Sequence, residues 1–188
     1  MIGSTVRWLR AYAGGGEPRV DAANFFALLV ASNQPFYPVY LHWTVSETIW
    51  PSAVTFLSTP LFLAVPAVAR RNALLGRALL PIAGIANTLA CCKMFGTESG
   101  VEVFLIPCIA LALILFRPSE RLVGYGIAGV AFAAYLWLHD HYGAPAHLYS
   151  ATEYAAFARL NFMSAASLTA LVALRFGTIL ADAETRRA

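Results

Sequence analysis

Apolar runs of similar length follow one another along the chain, separated by short polar or charged stretches. A helix that crosses about 30 Å of hydrocarbon needs about 20 mostly apolar residues, and six runs come close to that length. The first run is interrupted by polar residues and prolines, and the fourth and fifth runs are short. The pattern therefore predicts six membrane-crossing helices over residues 24–44, 50–69, 78–95, 100–116, 122–138 and 160–180.

Positive charges are divided unevenly between the two sets of connecting segments. Only Lys93 and Arg159 fall in one set. The arginine-rich set marks the cytoplasmic side, and both termini belong to it. The sequence therefore predicts an all-α polytopic membrane protein, a six-transmembrane-helix bundle with both termini in the cytoplasm. The arginine-rich set comprises Arg7, Arg10, Arg19, Arg70, Arg71, Arg77, Arg117, Arg121, Arg175, Arg186 and Arg187.

The composition argues against several other classes of protein. Only 12% of the residues are charged, which is about half the share found in soluble domains. The arginines lie between apolar runs rather than in one basic patch, so we expect no nucleic-acid partner. The sequence contains no nucleotide-binding, hydrolase or zinc-protease motif. It therefore indicates no catalytic residue, and it leaves open whether the chain is an enzyme and which cofactors it uses.

Two short segments flank the predicted membrane domain, which covers residues 24–180. Residues 1–23 form a cytoplasmic segment in which Ile2, Val6 and Leu9 lie at helical spacing. This spacing beside arginines favours a helix on the inner membrane surface. Because no Gly or Pro follows Gly177, we expect residues 181–188 to continue the last helix as the start of a cytoplasmic signalling helix.

Uncharged polar residues occur at the depth of the hydrocarbon core. Side-chain amides are costly to expose to lipid, so they should face the interior of the bundle. They could form hydrogen bonds between helices or a polar floor for a ligand. Prolines in the first four runs also leave two interpretations open, simple packing or kinked helices around a pocket. The polar residues are Asn33, Gln34, Asn87, Thr88, Asn161, Ser164, Ser167 and Thr169.

All four histidines fall on the predicted outer side, among several carboxylates. His139, His141 and His147 are weak candidates for transition-metal ligands or for groups that sense pH. Their spacing matches no zinc motif, and solvent-exposed histidines at the membrane interface are the simpler interpretation. Glu102 has a local explanation, because Ser99 and Glu102 have the spacing of a capping box that opens the fourth helix.

Three stretches of the chain resemble parts of bacterial membrane sensors. Residues 37–43, Tyr-Pro-Val-Tyr-Leu-His-Trp, are similar to a stretch in the first span of sensor histidine kinases that detect α-hydroxyketone autoinducers. Residues 96–104, Gly-Thr-Glu-Ser-Gly-Val-Glu-Val-Phe, resemble the turn between the third and fourth spans of six-helix bacterial class III adenylate cyclases. The last run with residues 181–187 resembles the point where such proteins leave the membrane. The resemblance implies a sensory or anchoring domain in the bacterial inner membrane, often dimeric, that signals to a cytoplasmic kinase or cyclase.

The leading hypothesis is a membrane-embedded input domain that binds a small lipophilic ligand and shifts its last helix between two packings. The alternative is an accessory structural subunit of a respiratory or photosynthetic membrane complex. Expected partners are membrane lipids, the ligand, and either a second copy of the chain or a membrane complex. The candidate ligand-binding residues are Asn33, Gln34, Tyr37, Tyr40, His42, Trp43, Asn87, Glu102 and Asn161.

Overall fold

The computed structural model describes residues 12, 14 and 16–185, and most of the predicted interfacial helix lies outside the described residues. No strand occurs in the described part of the chain, and the all-α prediction is confirmed. The helices are α1 (Pro18–Asn33), α2 (Tyr37–Thr44), α3 (Thr59–Arg71), α4 (Ala73–Phe95), α5 (Leu105–Ile114), α6 (Arg121–Leu138) and α7 (Ala151–Thr185).

Four helical stretches of the described chain are long and apolar enough to cross a membrane: Trp50–Arg71, Ala73–Phe95, Pro118–Leu138 and Ala151–Ala181. The apolar stretch Val101–Ile114 is shorter. α1 and α2 follow each other through a single 3-10 turn at Gln34–Phe36, but polar residues lower the apolar character of this path. The number of six spans and the orientation of the termini therefore stay predictions.

Tight helical turns precede several of the helices. A 3-10 segment at Trp50–Leu57 leads into α3, and a second one at Val101–Phe104 leads into α5. Pro35 and Pro38 lie at the beginnings of helical elements, where the missing N–H group removes no intrahelical hydrogen bond. Pro66 and Pro81 lie inside α3 and α4 instead.

α4 lies at the centre of the bundle and packs against α1, α3, α5 and α6. Small residues allow close approach at two of the helix contacts. A Cβ atom at Gly76 would collide with Ala69 of α3, and one at Gly124 of α6 would collide with the carbonyl oxygen of Ala112. Small residues at helix crossings are typical of membrane bundles, in which packing rather than hydrophobic burial holds the helices together.

α7 contacts the bundle along one face over much of its length. Near its beginning, Tyr154 and Phe157 belong to a buried cluster with Leu41 of α2 and Phe95 of α4. The more distant part of α7 contacts α5, but most of its apolar window is exposed to the surroundings of the bundle. α7 is therefore held by the aromatic cluster near its beginning and by Val172 further along, and its opposite face is exposed.

Ion pairs stabilise the arginine-rich end of the bundle. The Arg77 side chain, 1% exposed, forms two hydrogen bonds of 2.8 and 3.0 Å with the Glu120 carboxylate. It also donates to the backbone oxygens of Ala73 and Leu115. Arg117 forms a second, more exposed pair with Glu17. These contacts join α4 to the beginnings of α6 and α1.

Several local predictions are corrected by the structure. Arg77 was expected in a loop, but α4 already begins at Ala73, so this guanidinium is buried and paired. The last helix begins at Ala151, well before residue 160, and includes Arg159. The capping box of Ser99 and Glu102 is wrong, because Ser99 Oγ donates to the Gly96 oxygen and the Glu102 carboxylate binds His139.

Candidate ligand-binding site

A cavity of about 630 Å³ lies between α1, α4, α5 and α7. Its volume falls in the range of pockets that hold small organic molecules. Aromatic side chains line the end nearer α2, among them Phe36, Tyr37 and Phe104, whereas Leu80 and Leu111 line the opposite end. The cavity is therefore mostly apolar and has a polar band between its two ends.

A hydrogen-bonded network forms the polar wall of the cavity. The Gln34 amide nitrogen donates to the Thr55 oxygen at 2.9 Å and to Ser58 Oγ at 2.7 Å, and its amide oxygen accepts from Thr59 Oγ1 at 2.6 Å. Ser58 Oγ lies 2.7 Å from Oδ1 of Asn87. This network joins the turn after α1, the start of α3 and the middle of α4, so it fixes the orientation of the Asn87 amide.

The structure brings five of the nine predicted site residues to this cavity. They share its walls with Thr55, Ser164 and Ser167. The exposed rim on one side belongs to the end of α1 and to α2, and on the other side to α7. The five predicted residues that line the cavity are Asn33, Gln34, Tyr37, Tyr40 and Asn87.

Asn161 does not line the cavity but connects it to the last helix. The Tyr37 hydroxyl donates to Asn161 Oδ1 at 2.9 Å, and Asn161 Nδ2 donates to the Ser99 oxygen at 2.9 Å. The turn that contains Ser99 ends at Gly100, which has a φ of 67° and lies against Ala158 of α7. A residue of the cavity wall, a tight turn and α7 are thus joined at one buried point.

Glu102 forms a separate site with His139. Its carboxylate is 7% exposed, and Oε2 lies 2.6 Å from His139 Nδ1. Oε1 has no hydrogen-bond partner among the described residues. The hydrogen bond to Glu102 is the largest cause of a raised His139 pKa, and the nearby charges of Glu102 and Asp140 act in the same direction. This arrangement connects the turn before α5 with the end of α6.

The remaining predicted residues are dispersed. His42 is outside the cavity wall, and the Trp43 side chain is 77% exposed. His141 Nδ1 contacts the Trp137 oxygen, and the His147 ring contacts Tyr149. Within residues 16–185 no group of three His, Cys, Asp or Glu side chains could hold a metal ion.

The sequence analysis missed Thr55, which lines the cavity, and it missed Ser58 and Thr59, which form hydrogen bonds with the wall residue Gln34. They belong to the second apolar run, and with Ser52 they recur every three or four residues. This spacing places hydroxyl groups on one helical face, which is the signal that could have identified them. The hydrophobicity of the run concealed this stripe.

The fold and the cavity define a helical membrane domain with an internal site between its helices. A family model for MASE7, a family of membrane-associated sensor domains, matches residues 10–188. The chain belongs to the MASE7 family. No curated protein and no solved structure matches it. The predictions of membrane association and of a sensor domain are confirmed in this general form.

Proposed function

We propose that this chain is the membrane-embedded input domain of a bacterial signalling protein. A small lipophilic ligand binds in the cavity, and α7 transmits the resulting change to a cytoplasmic kinase or cyclase. One observation carries the proposal: Tyr37 lines the cavity and also forms a hydrogen bond with Asn161 of α7. A ligand that displaces the Tyr37 ring therefore acts directly on the helix that leaves the membrane.

The transmission step requires two packings of α7 with different affinities for the ligand. In the packing described above, Asn161 is fully buried and bonded to both Tyr37 and Ser99. Ligand binding that weakens the bond from Tyr37 raises the population of a second packing. Beyond its beginning, α7 places Ala165 and Val172 in buried positions and leaves its other face exposed, so a small rotation exchanges a limited set of core contacts.

The proposed topology places both termini in the cytoplasm of a bacterial cell and the loop 139–150 outside it. The distribution of Lys and Arg supports this orientation. Arg77, although buried, lies at the same end of the bundle as Arg117 and Glu17, so its burial does not change the assigned side. Cysteine labelling from outside intact cells at Ala144, with Gly16 as the cytoplasmic control, tests the orientation.

A fusion protein tests the sensory function. Residues 1–188 are joined in frame to the catalytic domain of a class III adenylate cyclase, and lipophilic extracts are screened for a change in cyclic AMP. We expect Ser167→Phe, which fills the rim of the cavity from α7, to abolish the response. Ala155→Phe is the control, because Ala155 is exposed on the same helix and lies outside both the cavity and the groove on the outer side of α7. A response that survives Ser167→Phe contradicts the proposed site.

The exposed side of α7 supports a second candidate function, that of an accessory subunit. A shallow apolar groove there is lined by Phe162, Ala165, Thr169 and Ala173, and such a surface fits a helix of another copy or of a larger complex. Purification in mild detergent distinguishes the two. Stoichiometric co-purification with a respiratory or photosynthetic complex supports the accessory role, whereas a homodimer supports the sensor.

A further inference from the structure

We infer that the cavity takes an uncharged amphiphile whose hydrogen-bonding head lies at Asn87 and whose hydrocarbon chain extends toward Leu80 and Leu111. The molecule reaches the site sideways from the bilayer, between α1 and α7. This inference rests on the proposed function and specifies the class of ligand for the same site.

The first argument is the charge of the cavity wall. Its lining residues include amides, hydroxyls and thiols but no Asp, Glu, Lys, Arg or His. A charged head group that enters such a site loses its hydration and finds no counter-charge, so its transfer from water is unfavourable. Glu102 and Arg77, the buried charged residues of the described chain, are paired with His139 and Glu120 outside this wall. The site therefore discriminates against carboxylates, phosphates and amines.

The second argument identifies the group that meets the head of the ligand. Gln34 uses both ends of its amide within the wall. Thr88 and Ser164 donate their hydroxyl hydrogens to the backbone of their own helices. At Asn87 the Oδ1 end contacts Ser58, while no bond to the Nδ2 end is formed with any described residue. Asn33 also lines the cavity, but its side chain is exposed at the rim, where water already satisfies it. Asn87 is thus the half-buried wall amide with hydrogen-bonding capacity left for a ligand.

The third argument concerns the route into the site. Phe36 and Tyr40 on one side of the rim, and Met163 and Leu171 on the other, are all exposed. The last two belong to a stretch of α7 that is long and apolar enough to lie in the hydrocarbon core. An amphiphile dissolved in the bilayer meets this rim without crossing a polar barrier. Its chain then has Leu80 and Leu111 as apolar neighbours beyond the polar band.

A photoaffinity experiment on the full chain tests the inference. The protein is placed in phosphatidylcholine nanodiscs with a diazirine derivative of dodecanamide, and cross-linked residues are identified by mass spectrometry. Unlabelled dodecanamide, dodecanoate and dodecylammonium then compete at neutral pH. We expect dodecanamide to compete at least about tenfold better than either charged probe, the scale set by one buried hydrogen bond and an unpaired charge.

Asn87→Asp provides the sharper test, because the introduced carboxylate still accepts a hydrogen bond from Ser58. We expect the order of the probes to reverse, so that dodecylammonium competes best. Ser167→Phe should reduce cross-linking of the diazirine probe, and Ala155→Phe, outside the cavity on the same helix, should leave it unchanged. A neutral lipid that co-purifies with the unmodified protein but not with Ser167→Phe identifies a membrane-resident source, and probe binding without such a lipid identifies a diffusible one.

Three results would overturn the inference. One is equal or stronger competition by dodecanoate or dodecylammonium in the unmodified protein. Another is an unchanged order of probes in Asn87→Asp. The third is cross-linking that does not exceed the level of the Ser167→Phe variant. The cyclase fusion protein measures the sensory function independently of the probes. If it responds to the extracts and any of these three results is also found, the proposed class of ligand is rejected and the sensory function is retained.

Discussion

The Tyr37 hydroxyl donates a 2.9 Å hydrogen bond to Oδ1 of the fully buried Asn161. The two residues are 124 positions apart in the chain, and their bond joins α2 to α7. Asn161 Nδ2 also donates a hydrogen bond to the Ser99 oxygen, so the same residue holds the turn before α5. α2, the turn at residues 97–100 and α7 therefore share one hydrogen-bonded junction next to the cavity.

Tyr37→Phe should weaken this junction while it keeps the aromatic ring. The substitution leaves the amide oxygen of Asn161 buried without its donor, which costs about 1–3 kcal/mol. We expect a lower midpoint of thermal unfolding in detergent and a fusion protein whose cyclase activity no longer responds to the extract. Tyr40→Phe is the control, because Tyr40 also lines the cavity but is partly exposed. Equal effects of the two substitutions would contradict the assigned role of the hydrogen bond.

Arg77→Met should destabilise the bundle strongly. The substitution removes a guanidinium that is 1% exposed and bonded to Glu120, Ala73 and Leu115. The substitution leaves the Leu115 backbone oxygen without this donor and the partly exposed Glu120 carboxylate without its counter-charge. A buried group left without its partner costs about 1–3 kcal/mol. Thermal unfolding monitored by tryptophan fluorescence measures the effect.

The control for this prediction is Arg117→Met. Arg117 also forms a bidentate pair, but its side chain is half exposed, and exposed ion pairs contribute little to stability. We expect only a small change in the unfolding midpoint. Equal losses in the two variants would show that burial of Arg77 does not determine its contribution.

The sequence predicts the helices better than it predicts their contacts. Runs of apolar residues locate the helices, because hydrocarbon and protein interior both exclude polar groups. The sequence predicts a helix over residues 78–95 and places Arg77 in the preceding loop, whereas α4 covers Ala73–Phe95 and Arg77 is buried and paired. A local charge pattern cannot reveal that Glu120, forty-three positions away, compensates this arginine.

The candidate site was predicted in part for the same reason. Polar residues in apolar runs must face protein, and this rule identified Gln34, Asn87 and Asn161. The rule does not separate the wall of a cavity from a buried junction, so it placed Asn161 and Asn87 in one group. Glu102 shows the opposite error, because the local capping pattern with Ser99 concealed a partner at the distant His139.

Gly100→Ala should disturb the contact between the turn at residues 97–100 and α7. Gly100 has a φ of 67°, a region that costs other residues about 1 kcal/mol, and its added Cβ would lie 3.3 Å from Ala158. We expect a lower unfolding midpoint and a changed basal activity of the cyclase fusion protein. Gly126→Ala is the matched control, since the space at that helical position is open. A silent Gly100→Ala variant would contradict the tight packing of α7 on this turn.

The stability of the domain should fall as the pH rises above the ordinary titration range of histidine. The bond to Glu102, together with the nearby charges of Glu102 and Asp140, raises the pKa of His139 in the folded state. Protonated His139 therefore contributes stability that is fully present below its ordinary pKa of about 6.5. This contribution is lost as the pH rises through the raised pKa of the folded state.

Glu102→Gln removes the cause of this pKa shift and should flatten the fall in stability with pH. The unfolding midpoint in detergent, measured at a series of pH values on both sides of neutrality, gives the slope for each variant. His141→Gln serves as the control, because the His141 ring contacts a backbone oxygen rather than a carboxylate. If Glu102→Gln keeps the slope of the unmodified protein while His141→Gln loses it, another histidine determines the pH dependence.

Because Val101 and Phe104 on either side of Glu102 line the cavity, the same titration should alter ligand binding in the unmodified protein and leave it constant in Glu102→Gln.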